Sequence, residues 1–150
     1  MSFEVDNRAL VRSKEMNRWK DWWNQASKDL EHAKKSLQAG DLEWAAFAAQ
    51  QGAEKAVKAL ILSLGGEAWG HSVFKLLHGL PPSHVPPEDV LEAGKRLDRH
   101  YIPSRYPNGF AEGYPSELYS REESEGAVRD AEKILEFCGS LLPGQEGENR

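Results

Sequence analysis

The sequence lacks several features that large classes of proteins require. Cys138 is the only cysteine, so there is no internal disulfide, and the histidines and acids show no metal-ligand spacing. Every apolar run is shorter than the roughly 20 residues that span a bilayer, and the first residues have no signal-peptide core. We therefore expect a soluble, cytoplasmic protein that uses no metal or cofactor and does not contact a membrane.

An excess of positive charge is also missing. The 150 residues carry a formal net charge of −5, which disfavours a protein that holds nucleic acid by bulk charge, although a local basic patch remains compatible. Neither a glycine-rich phosphate loop nor β-type alternation occurs. The length fits one domain with one core, because such a chain buries about 70% of its unfolded surface.

Strong helix formers are abundant, above all between Asp41 and Leu64. Asp41 is a typical N-cap residue, and Gly65 and Gly66 suit a left-handed C-terminal cap. Small and apolar residues cover more than half of the circumference, which indicates close packing against neighbours on several sides. This segment is predicted to be the central helix of the protein.

Apolar residues recur every three or four positions in four further segments, which predicts four more helices. These segments are residues 14–39, 72–80, 88–100 and 121–142. Residues 1–13 are predicted to form a flexible leader, residues 14–142 the folded domain and residues 143–150 a disordered tail. The expected fold is all-α, an antiparallel up-and-down bundle of four or five helices.

Two aromatic residues fall in the polar arc of the central helix. Trp44 and Phe47 lie there among amides and charged residues, which is unexpected for a face that meets only water. Three interpretations stay open. Another segment of the chain covers them, or they form a homodimer interface together with Gln51, or they line a ligand site.

Basic and aromatic residues concentrate around the irregular segment that follows residue 100. They are Arg96, Arg99, His100, Tyr101, Arg105 and Tyr106. Guanidinium groups bind phosphate bidentately. Pro103 and Pro107 limit the backbone freedom around Arg105, and such preorganisation favours a bound anion. Alternatively, Arg105 pairs with an acid such as Asp98 or Glu54 and fixes the loop to the bundle.

Four stretches, in this order, resemble HEPN domains, the "higher eukaryotes and prokaryotes nucleotide-binding" helical bundles. The resemblance covers about residues 19–142 and is carried by Trp22, Ala26, Asp29 and Leu30, by GDLEWAAFAAQQGAEKAVKAL, by Gly70-His71-Ser72 and by LDRHYIPSRYPNG. It implies an up-and-down bundle that is usually a homodimer and is often encoded beside a small nucleotidyltransferase. Some such pairs act as toxin and antitoxin.

Toxic members of the family are metal-independent ribonucleases whose motif contains an Arg followed by a His. In many of them more than three residues separate the two. Here only three residues separate Arg96 from His100, and no His follows Arg105. The sequence thus departs from the ribonuclease motif. The YIPSRYP stretch resembles instead the branch thought to bind nucleotides, and we expect no enzyme activity of the chain by itself.

Three hypotheses follow from the residues and the resemblance. The first is a homodimer that binds a nucleotide of the ATP or GTP class and is the accessory partner of a nucleotidyltransferase. The second is a ribonuclease toxin that uses His100 with Arg96 or Arg105, and the third is a non-catalytic dimeric scaffold. The nucleotide-binding residues implied by the resemblance are Lys55, Tyr101, Arg105 and Tyr106, with Lys58, Asp98 and His100 as further candidates.

Overall fold

The fold is all-α, as predicted, and a computed structural model describes residues 18–144. Six helices lie in this range: α1 (Trp19–Ala39), α2 (Leu42–Ser63), α3 (Val73–His78), α4 (Glu88–Asp98), α5 (Pro115–Leu118) and α6 (Arg121–Leu141). Residues 18–144 contain no strand, and no helix among them is long and apolar enough to cross a membrane. The predicted leader (1–13), the predicted helix start (14–17) and residues 145–150 of the predicted tail lie outside the described range.

Helix α2 is the central element, as its composition predicts. It packs against α1, α6, α3 and α4, and most of its residues are buried. Gly40, at φ 84°, reverses the chain between α1 and α2, so these two helices pair side by side. A Cβ atom on Gly52 would stand 3.1 Å from the backbone oxygen of Ala26, which shows how closely α1 approaches. Small residues make this contact possible.

The apolar core surrounds α2. Its largest fully buried side chains come from four different helices: Leu60 of α2, Leu77 of α3, Leu97 of α4 and Ile134 of α6. These four helices therefore each contribute apolar residues to one shared core, as expected for a helical bundle of this size.

The helix ends are capped partly as predicted. The Ser72 side chain accepts a hydrogen bond from the Lys75 amide, so Ser72 rather than His71 caps α3. Asp41 occupies the N-cap position of α2, but its carboxylate makes no capping hydrogen bond. The expectation that this carboxylate satisfies the free amides of α2 is therefore wrong, although the helix begins where predicted.

Candidate functional site

The segment after α4 folds into compact turns instead of an open loop. The amides of Arg105 and Tyr106 both donate to the Ile102 oxygen, at 3.0 and 3.1 Å. A Cβ atom on Gly109 would stand 2.8 Å from Pro103 Cα, so the chain passes closely over itself here. These turns fix the backbone position of Arg105, in agreement with the predicted effect of the two flanking prolines.

Arg105 lies among aromatic rings. Its guanidinium carbon is 4.5 Å from the ring centres of Phe47 and Tyr101 and 5.0 Å from that of Tyr106. Its Nε donates to the Tyr101 backbone oxygen at 3.0 Å. We call these four residues the arginine cage. Cation–π contacts of this kind hold a guanidinium in place without using its outer N–H donors.

The acids expected to pair with Arg105 are bound elsewhere. Asp98 accepts from the Ser72 hydroxyl at 2.8 Å and from the amides of Val73 and Phe74 at 2.7 and 3.1 Å. Glu54 pairs with Lys58 at 3.0 Å. The interpretation of Arg105 as the partner of Asp98 or Glu54 is thus wrong. Among residues 18–144, no carboxylate lies within 4.0 Å of the Arg105 guanidinium.

The aromatic pair of α2 has two different environments. Phe47 is partly covered by Arg105, so the chain itself accounts for that ring. Trp44 meets Phe47 edge to face at 6.3 Å but remains 52% exposed. The amide of Gln51 donates to Gln50 at 2.8 Å. Trp44 therefore adds an exposed ring beside the cage, and Tyr106, a member of the cage, is itself 48% exposed.

A row of polar side chains continues from the cage along α2. The Tyr101 ring stacks on His71 with centres 5.0 Å apart, and His71 Nδ1 lies 3.2 Å from Glu54 Oε1. Glu54 also forms an ion pair with Lys58, and the Lys58 ammonium lies 5.6 Å from the Trp22 ring centre. We call His71, Glu54 and Lys58 the polar row.

Sequence reasoning placed Glu54, Lys58 and Gln50 in the polar arc of α2 but did not predict their burial. All three are buried. His71, in the loop between α2 and α3, contacts Gln50 and Glu54, since its backbone oxygen accepts from the Gln50 amide at 2.9 Å and its Nδ1 lies 3.2 Å from Glu54, whereas Lys58 lies against Trp22 of α1. Helical periodicity carries no signal for this covering, because the covering loop is irregular.

Lys55 is paired on the other side of α2. Its ammonium lies 2.6 Å from Asp29 Oδ2, and the pair joins α2 to α1. No hydrogen bond or cation–π contact in the described part of the chain joins Lys55 to the arginine cage. The structure thus brings together Tyr101, Arg105 and Tyr106 of the predicted nucleotide-binding residues, and it gives Lys55, Lys58 and Asp98 other partners.

Arg96 and His100 line a separate cleft of about 850 Å³ between α4 and α6. Arg96 forms two hydrogen bonds of 2.9 Å with Asp130, which raise the pKa of its guanidinium. His100 Nδ1 lies 2.7 Å from the Tyr119 hydroxyl. Burial lowers the pKa of His100 and raises that of Tyr119, so both are neutral at pH 7. Arg99 also lines the cleft.

The sequence did not reveal Asp130 and Tyr119 as the partners in this cleft. They lie 34 and 19 residues from the groups that they bind, and no motif links them. Among residues 18–144, no three His, Cys or acidic side chains lie together as a metal site would require. The cleft thus offers a neutral imidazole and cationic side chains for binding or proton transfer.

The all-α bundle agrees with one protein class. The sequence pattern of the HEPN domain matches residues 19–141, and the chain belongs to the HEPN family.

The chain is also similar to three known proteins. The protein TT1696 of Thermus thermophilus has a crystal structure that matches with a TM-score of 0.82 and 49% identity, over 84% of this chain and 99% of that one. ST0689, an archaeal HEPN homologue, matches with a TM-score of 0.71 and 40% identity, over 82% and 96% of the two chains. The candidate toxin MJ1304 of Methanocaldococcus jannaschii is 30% identical over 131 residues, which are 81% of this chain and 86% of that protein.

Proposed function

We propose that this HEPN protein binds a nucleotide at the arginine cage, and that Arg105 receives the phosphate. The observation that carries the proposal is that the Arg105 guanidinium is held in place while its outer N–H donors remain free. Three rings and one backbone bond hold it, while its outer nitrogens donate to no protein acceptor within residues 18–144. A fixed guanidinium with free N–H donors is the arrangement that binds phosphate bidentately.

The rings next to Arg105 offer a place for the base. Tyr106 is 48% exposed, so its ring has a free surface at the edge of the cage. Stacking of a base on an aromatic side chain contributes about 1–3 kcal/mol and tolerates any base. The proposal therefore names the ATP or GTP class and not one nucleotide. Tyr101 lies beneath Arg105 and orients it.

Lys55, Lys58 and Asp98 enter this proposal as supporting residues. Their charged groups are bound to Asp29, to Glu54 and to the start of α3. Asp98 fixes the segment that carries His71, on which Tyr101 stacks. In this proposal Asp98 helps to position the cage, Lys55 joins α2 to α1, and none of the three residues contacts the nucleotide.

The same surface supports the proposed assembly. We propose a homodimer in which a second copy covers Trp44, and a nucleotidyltransferase as the further partner that uses the bound nucleotide. An exposed tryptophan such as Trp44, packed on the partly buried Phe47 and next to polar residues, is typical of interface cores. In this account the chain is an accessory protein and is not an enzyme by itself.

Calorimetric titration with ATP and GTP tests the nucleotide site. The wild type is expected to bind one of them saturably, and Arg105→Ala is expected to bind it roughly a hundredfold more weakly. Arg99→Ala is the matched control, because Arg99 is an exposed arginine outside the cage. Equal binding by Arg105→Ala and the wild type would refute the site, and absence of binding by the wild type would favour the scaffold hypothesis.

A second candidate function is the ribonuclease toxin. It is supported by the position of Arg96 and His100 in one cleft and by the similarity to a candidate toxin. In this proposal the neutral His100 accepts the proton of the ribose 2′-hydroxyl as that oxygen bonds to phosphorus, the bond from phosphorus to the 5′-oxygen breaks, and the leaving 5′-oxygen takes a proton from water. RNA cleavage that is lost in His100→Ala and kept in His78→Ala would support it, since His78 is exposed and outside the cleft. Absence of cleavage by the wild type would exclude it.

A further inference from the structure

A second cavity lies at the other end of the polar row. It has a volume of about 260 Å³, is open to solvent on one side and lies between the start of α1, the end of α2 and the loop that follows α2. Trp22 and Trp69 form its aromatic walls, Lys58 and Leu62 line it from α2, and Arg18 and Glu67 also line it. We call this cavity the tryptophan pocket. Neither the arginine cage nor the Arg96–His100 cleft shares a lining residue with it.

Lys58 supplies hydrogen-bond donors to this pocket. Its side chain is only 10% exposed, and its ammonium contacts Glu54 at 3.0 Å and the Trp22 ring at 5.6 Å. An ammonium has three N–H donors. Glu54 takes one of them, and residues 18–144 provide no other acceptor. A buried ammonium with donors to spare favours a ligand that brings an acceptor such as a carbonyl oxygen.

The two tryptophans select for a flat ligand. Trp69 is 80% exposed, although its indole N–H lies 3.5 Å from Glu67 Oε2, and Trp22 is half-buried. A ring bound here removes part of the exposed indole surface from water and stacks on it. Such stacking contributes about 1–3 kcal/mol per ring when a base is involved.

The volume and the net charge of the tryptophan pocket further limit the class of ligand that fits it. The volume is below the roughly 300–1,000 Å³ of pockets for drug-sized ligands, so it suits one small ring system and not a whole nucleotide. Each cation at the pocket has a carboxylate partner: Lys58 has Glu54, and Arg18 lies 3.6 Å from Asp21. The pocket therefore has little net positive charge with which to attract an anion.

We propose that the tryptophan pocket binds a small, neutral, planar heteroaromatic molecule that carries a carbonyl group next to a ring N–H. Lys58 donates to the carbonyl oxygen, Glu67 accepts from the ring N–H, and Trp22 and Trp69 cover the ring faces. This site is independent of the proposed nucleotide site, because it recognises no phosphate and does not use Arg105.

Nuclear magnetic resonance of the full chain tests this site with hypoxanthine as the probe. Hypoxanthine is neutral and planar, has a carbonyl next to a ring N–H and lacks phosphate. Each of the five tryptophans gives one indole N–H signal. During the titration, the signals of Trp22 and Trp69 are expected to shift saturably, and the signal of Trp44 is expected to stay constant.

Three variants make the result decisive. Trp69→Ala removes one wall at an exposed position and is expected to weaken binding about tenfold or more. Trp44→Ala, which also removes an exposed tryptophan, and Arg105→Ala are expected to bind hypoxanthine like the wild type. No saturable shift up to the solubility limit, or equal weakening by Trp69→Ala and Trp44→Ala, would overturn the proposal. Loss of ATP binding in Arg105→Ala with hypoxanthine binding unchanged would separate the two sites.

Discussion

Asp98→Ala should destabilise the protein far more than Asp41→Ala, although the sequence indicates Asp41, and not Asp98, as a helix cap. Asp98 ends α4 and accepts three hydrogen bonds from the start of α3: from the Ser72 hydroxyl and from the amides of Val73 and Phe74. It thereby joins two helices and fixes the loop that carries His71. Asp41, at the N-cap position of α2, makes no capping bond.

The expected magnitude follows from these three contacts. A hydrogen bond to a charged group contributes roughly 1.5–3 kcal/mol, and loss of a capping side chain costs about 0.5–2 kcal/mol. Because Ser72 and Phe74 are only half-buried, water can reach them in Asp98→Ala and replace some of the lost hydrogen bonds. We therefore expect Asp98→Ala to lower the free energy of unfolding by about 3 kcal/mol.

Urea denaturation followed by circular dichroism measures this loss. With a slope of about 2 kcal/mol per molar urea, the midpoint should fall by about 1.5 M. The control Asp41→Ala removes only a charge near a helix N-terminus and should cost about 0.5 kcal/mol. If Asp98→Ala costs no more than Asp41→Ala, the assignment of Asp98 as the clamp between α3 and α4 is wrong.

Three further predictions concern packing and protonation. Gly52→Ala should lower the free energy of unfolding by about 1–3 kcal/mol, because the new Cβ would meet the Ala26 oxygen at 3.1 Å. In the control Gly126→Ala the new Cβ meets only a side chain at 3.8 Å, so this change should raise the free energy of unfolding by about 0.5 kcal/mol. Urea denaturation of both variants measures the difference. Since burial lowers the pKa of His100, the unfolded chain binds that proton more tightly, so stability should be unaffected well above pH 6.5 and fall as the pH drops below it. An equally steep fall in His100→Gln would contradict this cause. Burial raises the pKa of the Cys138 thiol, so a thiol reagent at pH 8 should label it only after denaturation, and rapid labelling of the folded protein would contradict its buried position.

The helices were predictable because their signals are local. Helix α2 spans Leu42–Ser63 where residues 41–64 were predicted, and α6 spans Arg121–Leu141 where residues 121–142 were predicted. Proline and glycine correctly excluded a long helix between residues 101 and 120, yet α5 forms there as a single turn that starts at Pro115. A helix this short has no periodicity of its own, so the sequence could not indicate it.

The candidate site was predictable in composition and only partly in its contacts. The cluster of Tyr101, Arg105 and Tyr106 is local in sequence and also lies together in the structure. The contribution of Phe47 comes from α2, across the fold, and the positions of Asp98 and Lys55 depend on partners 26 residues away. The sequence shows where the charged residues are but does not predict their ion-pair partners, because the partners depend on how the helices pack.

The most direct test of the account compares ATP with adenosine on the wild type and on Arg105→Ala. If Arg105 holds the phosphate with two charge-assisted hydrogen bonds, its loss should cost about 3 kcal/mol, or roughly a hundredfold in Kd. We predict that Arg105→Ala binds ATP no more tightly than the wild type binds adenosine, while adenosine binding itself changes little. An ATP affinity in Arg105→Ala that equals that of the wild type would contradict the central claim.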